Sequence, residues 1–130
     1  VGIEALSRGA ARAVFVESSR EALAALGENL RSLQLGGRAQ VVPKRAHHYA
    51  ASGLSGIVFA DPPYTQPKEY DKLIAALAKK AAGIDLLLLQ QDRRLALPEK
   101  IGPLARQREL KQGDNVVSFY YLAAPVGNEP

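Results

Sequence analysis

Four short apolar runs, Ala13–Val16, Ala39–Val42, Ile57–Ala60 and Asp85–Gln90, are separated by stretches of helical periodicity. Runs this short, bounded by turn residues, read as buried strands. Strands alternating with helices leave few solutions other than a mostly parallel sheet covered by helices. The intervening segments carry matching signals. Val1–Arg8 reads as the end of a helix, with Ile3 and Leu6 on one face and Gly9 as a stop. Ser18 stands three residues before Glu21, the spacing of a capping box. Leu23, Leu26, Leu30 and Leu33 then recur at helical spacing, up to a stop at Gly36-Gly37. A short helical or irregular segment reaches to about Ser52. A further helix is expected from Pro67, with Tyr70, Leu73, Ile74, Leu77, Ala78 and Ala81 as its apolar stripe and Gly83 as its end.

After Gln91 the alternation stops. Leu104–Leu110 and Asn115–Leu122 are β-like runs joined at Gln112-Gly113-Asp114, a turn signal that predicts an antiparallel hairpin. The expected class is α/β, mostly parallel with an antiparallel C-terminal hairpin. A length of 130 residues with 47% apolar side chains fits one domain with a real core, placed at 1–124 with a loose tail at 125–130. The absence of cysteine excludes a disulfide scaffold, a thiolate metal site and a cysteine nucleophile. The N-terminus has no basic segment followed by an apolar run, and the longest apolar runs are far too short to span a bilayer. A soluble, cytoplasmic protein is expected. The formal charge of +4 permits an anionic partner such as RNA without requiring one.

Asp61-Pro62-Pro63-Tyr64 directly follows the third predicted strand. Ligands of open α/β sheets bind outside the carboxyl ends of the strands, which is where this tetrapeptide falls. Two prolines leave a stiff loop with carbonyl acceptors and no N–H. Asp61 adds a carboxylate, and Tyr64 adds a flat ring with a polar tip. Such a set can grip a planar base with an exocyclic amine: the amine donates to Asp61 and to the Pro62 carbonyl while Tyr64 stacks. Two acceptors on its hydrogens favour a pyramidal nitrogen and free its lone pair. The competing reading is a plain turn, since Asp and Pro are frequent turn residues.

Glu17, at the end of an early strand, suits hydrogen bonds from a ribose; it also suits a carboxylate near a helix N-terminus. His47-His48 has no cysteine or suitably spaced carboxylate beside it, so surface or packing roles are expected rather than a metal. Arg93-Arg94, Arg106, Arg108 and Lys111 cluster late in the chain, with Arg106 and Arg108 expected on one face of a strand. They suit either a phosphate backbone or ordinary solvated charge.

These residues make the chain similar to the class I S-adenosylmethionine-dependent methyltransferases, a Rossmann-like group. Within them it resembles the RsmD-type 16S rRNA (guanine-N2)-methyltransferases, from position 1 to about Leu122. Val1-Gly2-Ile3-Glu4-Ala5-Leu6-Ser7-Arg8-Gly9-Ala10 looks like the helix after the family's first glycine-rich loop. Val14-Phe15-Val16-Glu17 looks like its second strand, Asn29-Leu30 matches its helical Asn-Leu pair, and Ile57–Tyr64 is similar to its catalytic motif. Lys111-Gln112-Gly113-Asp114-Asn115 resembles its last hairpin turn. Asp-Pro-Pro-Tyr marks amino-methyltransferases broadly; the opening segment narrows the choice.

The resemblance implies methylation of the N2 amine of a guanine in 16S rRNA or the small ribosomal subunit, by a monomer. Asp61, Pro62, Pro63 and Tyr64 are then catalytic. Gly2, Glu17, Ser18, Arg45, Ala46 and Asp61 contact S-adenosylmethionine. Where the family places an Asp for adenine, this chain reads Pro43-Lys44-Arg45-Ala46. The family's first strand, its Asp-x-Phe-x-Gly-Ser-Gly loop and a basic N-terminal segment are not in this chain, which also lacks methionine, even at position 1. The expectation is therefore the C-terminal two thirds of a methyltransferase domain, binding cofactor poorly by itself. The rivals are a DNA amino-methyltransferase, a nucleotide-binding oxidoreductase using Glu17, and a non-catalytic remnant that only binds RNA.

Overall fold

Each of the four apolar runs is a strand: β1 Ala13–Val16, β2 Ala39–Val42, β3 Gly56–Ala60 and β4 Ile84–Asp92. They occur in a computed structural model that describes residues 1–61 and 67–122. The chain divides into two compact units, Val1–Tyr49 and Ala50–Pro130.

In the first unit, helices α1 (Gly2–Ser7) and α2 (Arg20–Ser32) accompany a parallel pair, β1 with β2, in the register Ala13↔Ala39 to Val16↔Val42. Leu6, Leu30 and Leu35 form its buried centre, with Ile3, Phe15 and Leu26 packed against them. Arg38 serves the end of α1: its Nη2 donates to the Leu6 carbonyl at 2.7 Å and its Nη1 to the Ala10 carbonyl at 2.9 Å. The Leu6 carbonyl also accepts the Gly9 N–H at 3.2 Å, and the Arg38 cation adds to that closure and suits the negative end of the helix dipole.

The ends of α2 differ from the sequence expectation. The N-cap is Ser19, whose hydroxyl accepts from the Ala22 N–H at 3.3 Å, one residue later than the Ser18 capping box. At the other end the helix stops at Ser32, before Gly36-Gly37, which instead begin a 3₁₀ turn, Gly36–Arg38. Gln34 takes a left-handed conformation with φ 59°. The Leu35 N–H then donates to Leu30 O at 2.8 Å, and the Gln34 N–H to Arg31 O at 3.1 Å. This is a Schellman closure, and its usual hydrophobic contact is supplied by Leu35 and Leu30 in the same buried cluster. Leu33 consequently turns outward and is 53% exposed, and Leu35 takes the place in the core that helical spacing assigned to it.

The second unit holds a five-stranded sheet. β3 pairs with β4 in parallel, and β5 (Lys100–Ile101), β6 (Leu104–Gln112) and β7 (Asn115–Tyr121) extend it in the order β3-β4-β7-β6-β5. β7 runs antiparallel to both β4 and β6. The hairpin between β6 and β7 forms as expected, closed by Gln112↔Asn115 around Gly113-Asp114. Gly113 supplies φ 59° at the first central position, the requirement of a type II′ turn. The two-residue strand β5 is too short to leave a sequence signal. Helix α4 (Pro67–Lys79) ends before Gly83 and lays Tyr70, Leu73 and Leu77 on one face of this sheet, against Leu87, Leu89, Leu104 and Tyr120. The predicted stripe is thus the core-facing one.

A glycine at position 34 carries no Cβ penalty in the left-handed region. The substitution Gln34→Gly should raise stability by up to about 1 kcal/mol, the left-handed cost less glycine's extra chain entropy. Urea denaturation measures it, and an unchanged or lower midpoint contradicts the closure described.

Candidate active site

The residues singled out in the first unit gather at one end of its parallel pair. Glu17 and Ser18 follow the carboxyl end of β1, and Arg45 and Ala46 follow that of β2, Ala46 opening a short helix α3 (Ala46–Ala50). The Glu17 N–H donates to Val42 O at 3.1 Å and locks the two strand ends together. One carboxylate oxygen of Glu17 accepts from the Ser19 N–H at 3.0 Å. That contact orients the side chain beside the start of α2. Among the described residues the other oxygen accepts nothing, so the two readings of Glu17 are compatible. Gly2 has a packing reason: a Cβ there would lie 2.8 Å from Cζ of the Phe15 ring on β1, closer than real contacts allow. Glycine lets α1 start directly over that ring. His47 and His48 lie on α3 with ring centroids 4.2 Å apart. Among the described residues, no group of three or more His, Asp or Glu is arranged to hold a metal.

In the second unit Asp61 follows the last residue of β3, where Ala60 is in register with Leu89 of β4. Pro62, Pro63 and Tyr64 lie outside the described residues. Loss of solvation at this strand end raises the Asp61 carboxyl above its ordinary value. Behind it stands Tyr70 of α4, buried to 2% exposure, whose hydroxyl donates to Gln90 O at 2.6 Å. Burial pushes the Tyr70 hydroxyl up to about 12, and the negative charge of Asp61 pushes in the same direction. Tyr70 therefore stays protonated, and it ties the first turns of α4 to the end of β4 within the electrostatic reach of Asp61. In the sequence Tyr70 is legible only as one member of an apolar stripe; nothing there marks its hydroxyl.

The late basic residues do not form the expected row. A bulge in β6 shifts the register between Arg106 and Arg108, so that Arg106 opposes Tyr120 while Arg108 opposes Phe119. Neighbouring positions on β7 face opposite sides of the sheet, and so do the two arginines. Arg108 lies over the Phe119 ring, 5.2 Å from its centre. Arg106 instead shares a face with Glu109 and Lys111 and pairs with Glu109 at 3.3 Å. Arg94 closes back on Asp92, donating from its backbone N–H at 2.9 Å and from Nε at 2.8 Å. Those bonds hold the Asp92 carboxyl down to about 2.

Because the folded Asp92 titrates below its ordinary value, the turn it closes is favoured above that value and loosens as pH falls through about 2. Carbon-detected NMR titration should place the Asp92 midpoint near 2, and Arg94→Ala should return it toward the ordinary carboxylate value. A midpoint unmoved by that substitution refutes the assigned cause.

Comparison with known proteins bears on what this arrangement is for. The family described as conserved hypothetical protein 95 matches residues 1–121. A Bacillus subtilis (strain 168) protein named "Putative rRNA methyltransferase YlbH" is 34% identical over 128 residues, covering 92% of this chain and 68% of its own length. Among solved structures, a conserved hypothetical protein from Streptococcus pyogenes superposes with a TM-score of 0.77 at 30% identity, covering 93% of this chain and 78% of that one. The "Putative methyltransferase yhhF" of Escherichia coli gives 0.76 at 29% identity, over 92% and 68% respectively. The same α/β fold, the parallel strand ends that carry Glu17 and Asp61, and a family match spanning nearly the whole chain lead to one conclusion. The chain belongs to the conserved hypothetical protein 95 family, the RsmD-type class I methyltransferases that its sequence resembles.

Proposed function

We propose that this protein methylates the exocyclic N2 amine of a guanine in 16S rRNA, with S-adenosylmethionine as methyl donor. The observation that carries the reading is the position of Asp61: a carboxylate at the carboxyl end of a parallel strand, in a methyltransferase chain, heading an Asp-Pro-Pro-Tyr motif. The name of the Bacillus relative, an rRNA methyltransferase, favours an RNA substrate over DNA.

The residues at the ends of β1 and β2 fit the ribose end of the cofactor. A ribose diol needs an acceptor, and Glu17 has an oxygen not used within the described residues while its other oxygen is fixed by Ser19. For adenine the fit is different. The Arg45 side chain is a donor only, and its carbonyl already accepts from the His48 and Tyr49 N–H groups at 3.1 and 3.2 Å, so the acceptor for the adenine amine comes from another group. When bound, the cofactor supplies an electrophilic methyl group.

Asp61 and the Pro62 carbonyl accept the two amine hydrogens of the base, and Tyr64 stacks on the ring. This holds the nitrogen pyramidal with its lone pair directed away from the ring system. Asp61 need not be a strong base, because the amine can lose its proton after transfer. Positioning and desolvation of the amine supply most of the rate. A raised Asp61 carboxyl is the expected companion of such a desolvated acceptor. The base has to be unstacked or already single-stranded to reach these groups. The substrate is free 16S rRNA or the small ribosomal subunit, and the protein acts as a cytoplasmic monomer. No described helix is long and apolar enough to cross a membrane.

Two substitutions test the division of roles. In the intact enzyme, Asp61→Ala should lower methyl transfer to unmethylated 16S rRNA by about two to three orders of magnitude or more, with cofactor affinity nearly unchanged. Loss of cofactor binding with normal turnover at saturation removes Asp61 from the chemistry, and transfer to duplex DNA instead of rRNA removes the substrate assignment. Glu17→Gln should weaken cofactor binding about tenfold, the range of a charge-assisted hydrogen bond, as read by calorimetry. Unaltered affinity excludes Glu17 as the ribose acceptor.

A further inference from the structure

The second unit has a cleft of about 580 Å³ lined by Arg93, Arg106, Lys111 and Glu109, with Leu95 and Leu97 among its apolar walls. Three features of the sheet build it. The first is the bulge in β6, without which Arg106 would not share a face with Glu109 and Lys111. Across β4, β7 and β6 the rows now run Leu87–Tyr120–Arg106, Leu89–Ser118–Glu109 and Gln91–Val116–Lys111. Each row is buried on β4 and β7 and charged on β6.

The second feature is the segment after β4, which crosses over these rows. It is fastened by the Tyr120 hydroxyl donating to Pro98 O at 2.7 Å, Gln91 Nε2 donating to Leu95 O at 3.1 Å, and the Arg93 N–H donating to Asp114 O at 2.8 Å. It forms the opposite wall and brings Arg93 to the rim.

The third is location. β3 and β4 are parallel, and Asp92 at the carboxyl end of β4 pairs with Asn115 beside the hairpin turn. The cleft therefore opens at the same end of the sheet as Asp61. Three strand spacings separate β3 from β6 in the order β3-β4-β7-β6. At about 4.8 Å each, that places the β6 wall of the cleft roughly 14 Å along the sheet from β3, with Gln91 of β4 and Val116 of β7 between them.

The charges favour an anion. Three cations face one carboxylate inside the cleft. Arg93 is held only at 3.7 Å by Asp114, with both side chains mostly exposed, a pairing that contributes little and yields readily to a phosphate. Guanidinium planes beside apolar walls also suit a nucleotide, whose base can stack while its phosphate is bound.

We propose that this cleft binds the sugar-phosphate backbone of the RNA substrate next to the target guanine, with Arg93 and Lys111 as the phosphate ligands at its mouth. Arg106, engaged with Glu109, shapes the wall. This rests on the RNA-methylation reading and adds to it the site that holds the flanking strand while the base is presented to Asp61.

The test uses the intact protein and unmethylated 16S rRNA transcribed in vitro. The double variant Arg93→Gln/Lys111→Gln should bind this RNA about tenfold more weakly. Its slope of log affinity against log salt should be shallower by about 1.4, that is, two phosphate contacts on a single strand. A control, Lys79→Gln/Lys80→Gln, removes the same charge from the end of α4 that precedes β4, at the far end of the sheet, and should leave the slope as it is. Circular dichroism checks that both variants are folded. Parent-like affinity and slope in the cleft variant, with the parent methylating rRNA, overturns the cleft and leaves the methylation reading standing. Equal losses in the control overturn it too, since they show a diffuse field and no site. Weakened binding of duplex DNA with RNA binding intact also overturns it. A parent protein that neither binds nor methylates RNA overturns both readings.

Discussion

β7 enters its sheet between β4 and β6, antiparallel to both, and the geometry of the second unit follows from that insertion. A parallel pair such as β3–β4 can grow only through a long crossover. Here the chain passes through β5 and β6 first, and the hairpin after β6 returns β7 antiparallel against β4. It brings the Gly113-Asp114 turn to the carboxyl end of β4, the end that carries Asp61. It also makes β7 the middle strand, so that Ser118 and Tyr120 sit at the bottom of the core with no access to water.

Burying a hydroxyl on a central strand is favourable only if it finds a partner. Here the partners are organised. Ser118 Oγ donates to Gln91 Oε1 at 3.4 Å, Gln91 passes the connection to Leu95 O, and Tyr120 reaches Pro98 O. Among the described residues no buried side-chain nitrogen or oxygen lacks a hydrogen bond. These bonds run from the sheet to the segment after β4, and Tyr70 does the same from α4 to Gln90. Polar groups that an apolar core would exclude are used to hold the loops around the strand ends, where a site needs rigid walls.

The first unit meets its own constraint by different means. Arg38 binds carbonyls at the end of α1, and Gln34 accepts a left-handed backbone so that Leu35 can reach the core. The gain from burying Leu35 and completing the closure outweighs a conformational cost of about 1–2 kcal/mol at Gln34. Local propensity yields to tertiary burial there, which is why the helix ends before Gly36-Gly37.

Much of this was legible in the residues alone. Apolar runs and turn residues are local signals, so the α/β class, the four strands, the α4 stripe and the Gly113 hairpin could be read without a fold. The strand-end positions of Asp61 and Glu17 were legible for the same reason, and strand ends are where α/β proteins place ligands. The rest depended on contacts between residues far apart in sequence. Alternation along β6 puts Arg106 and Arg108 on one face; the bulge that separates them exists only in the pairing with β7. Ser18 and Ser19 are equivalent as letters, and the conformation of the chain leaving β1 chooses between them. Tyr70 reads as one more apolar residue until its hydroxyl is seen on Gln90. Sequence by itself determined the class of fold, the family and the candidates for the site. Tertiary structure decided which charges share a face, because register is a property of two strands and cannot be written in one.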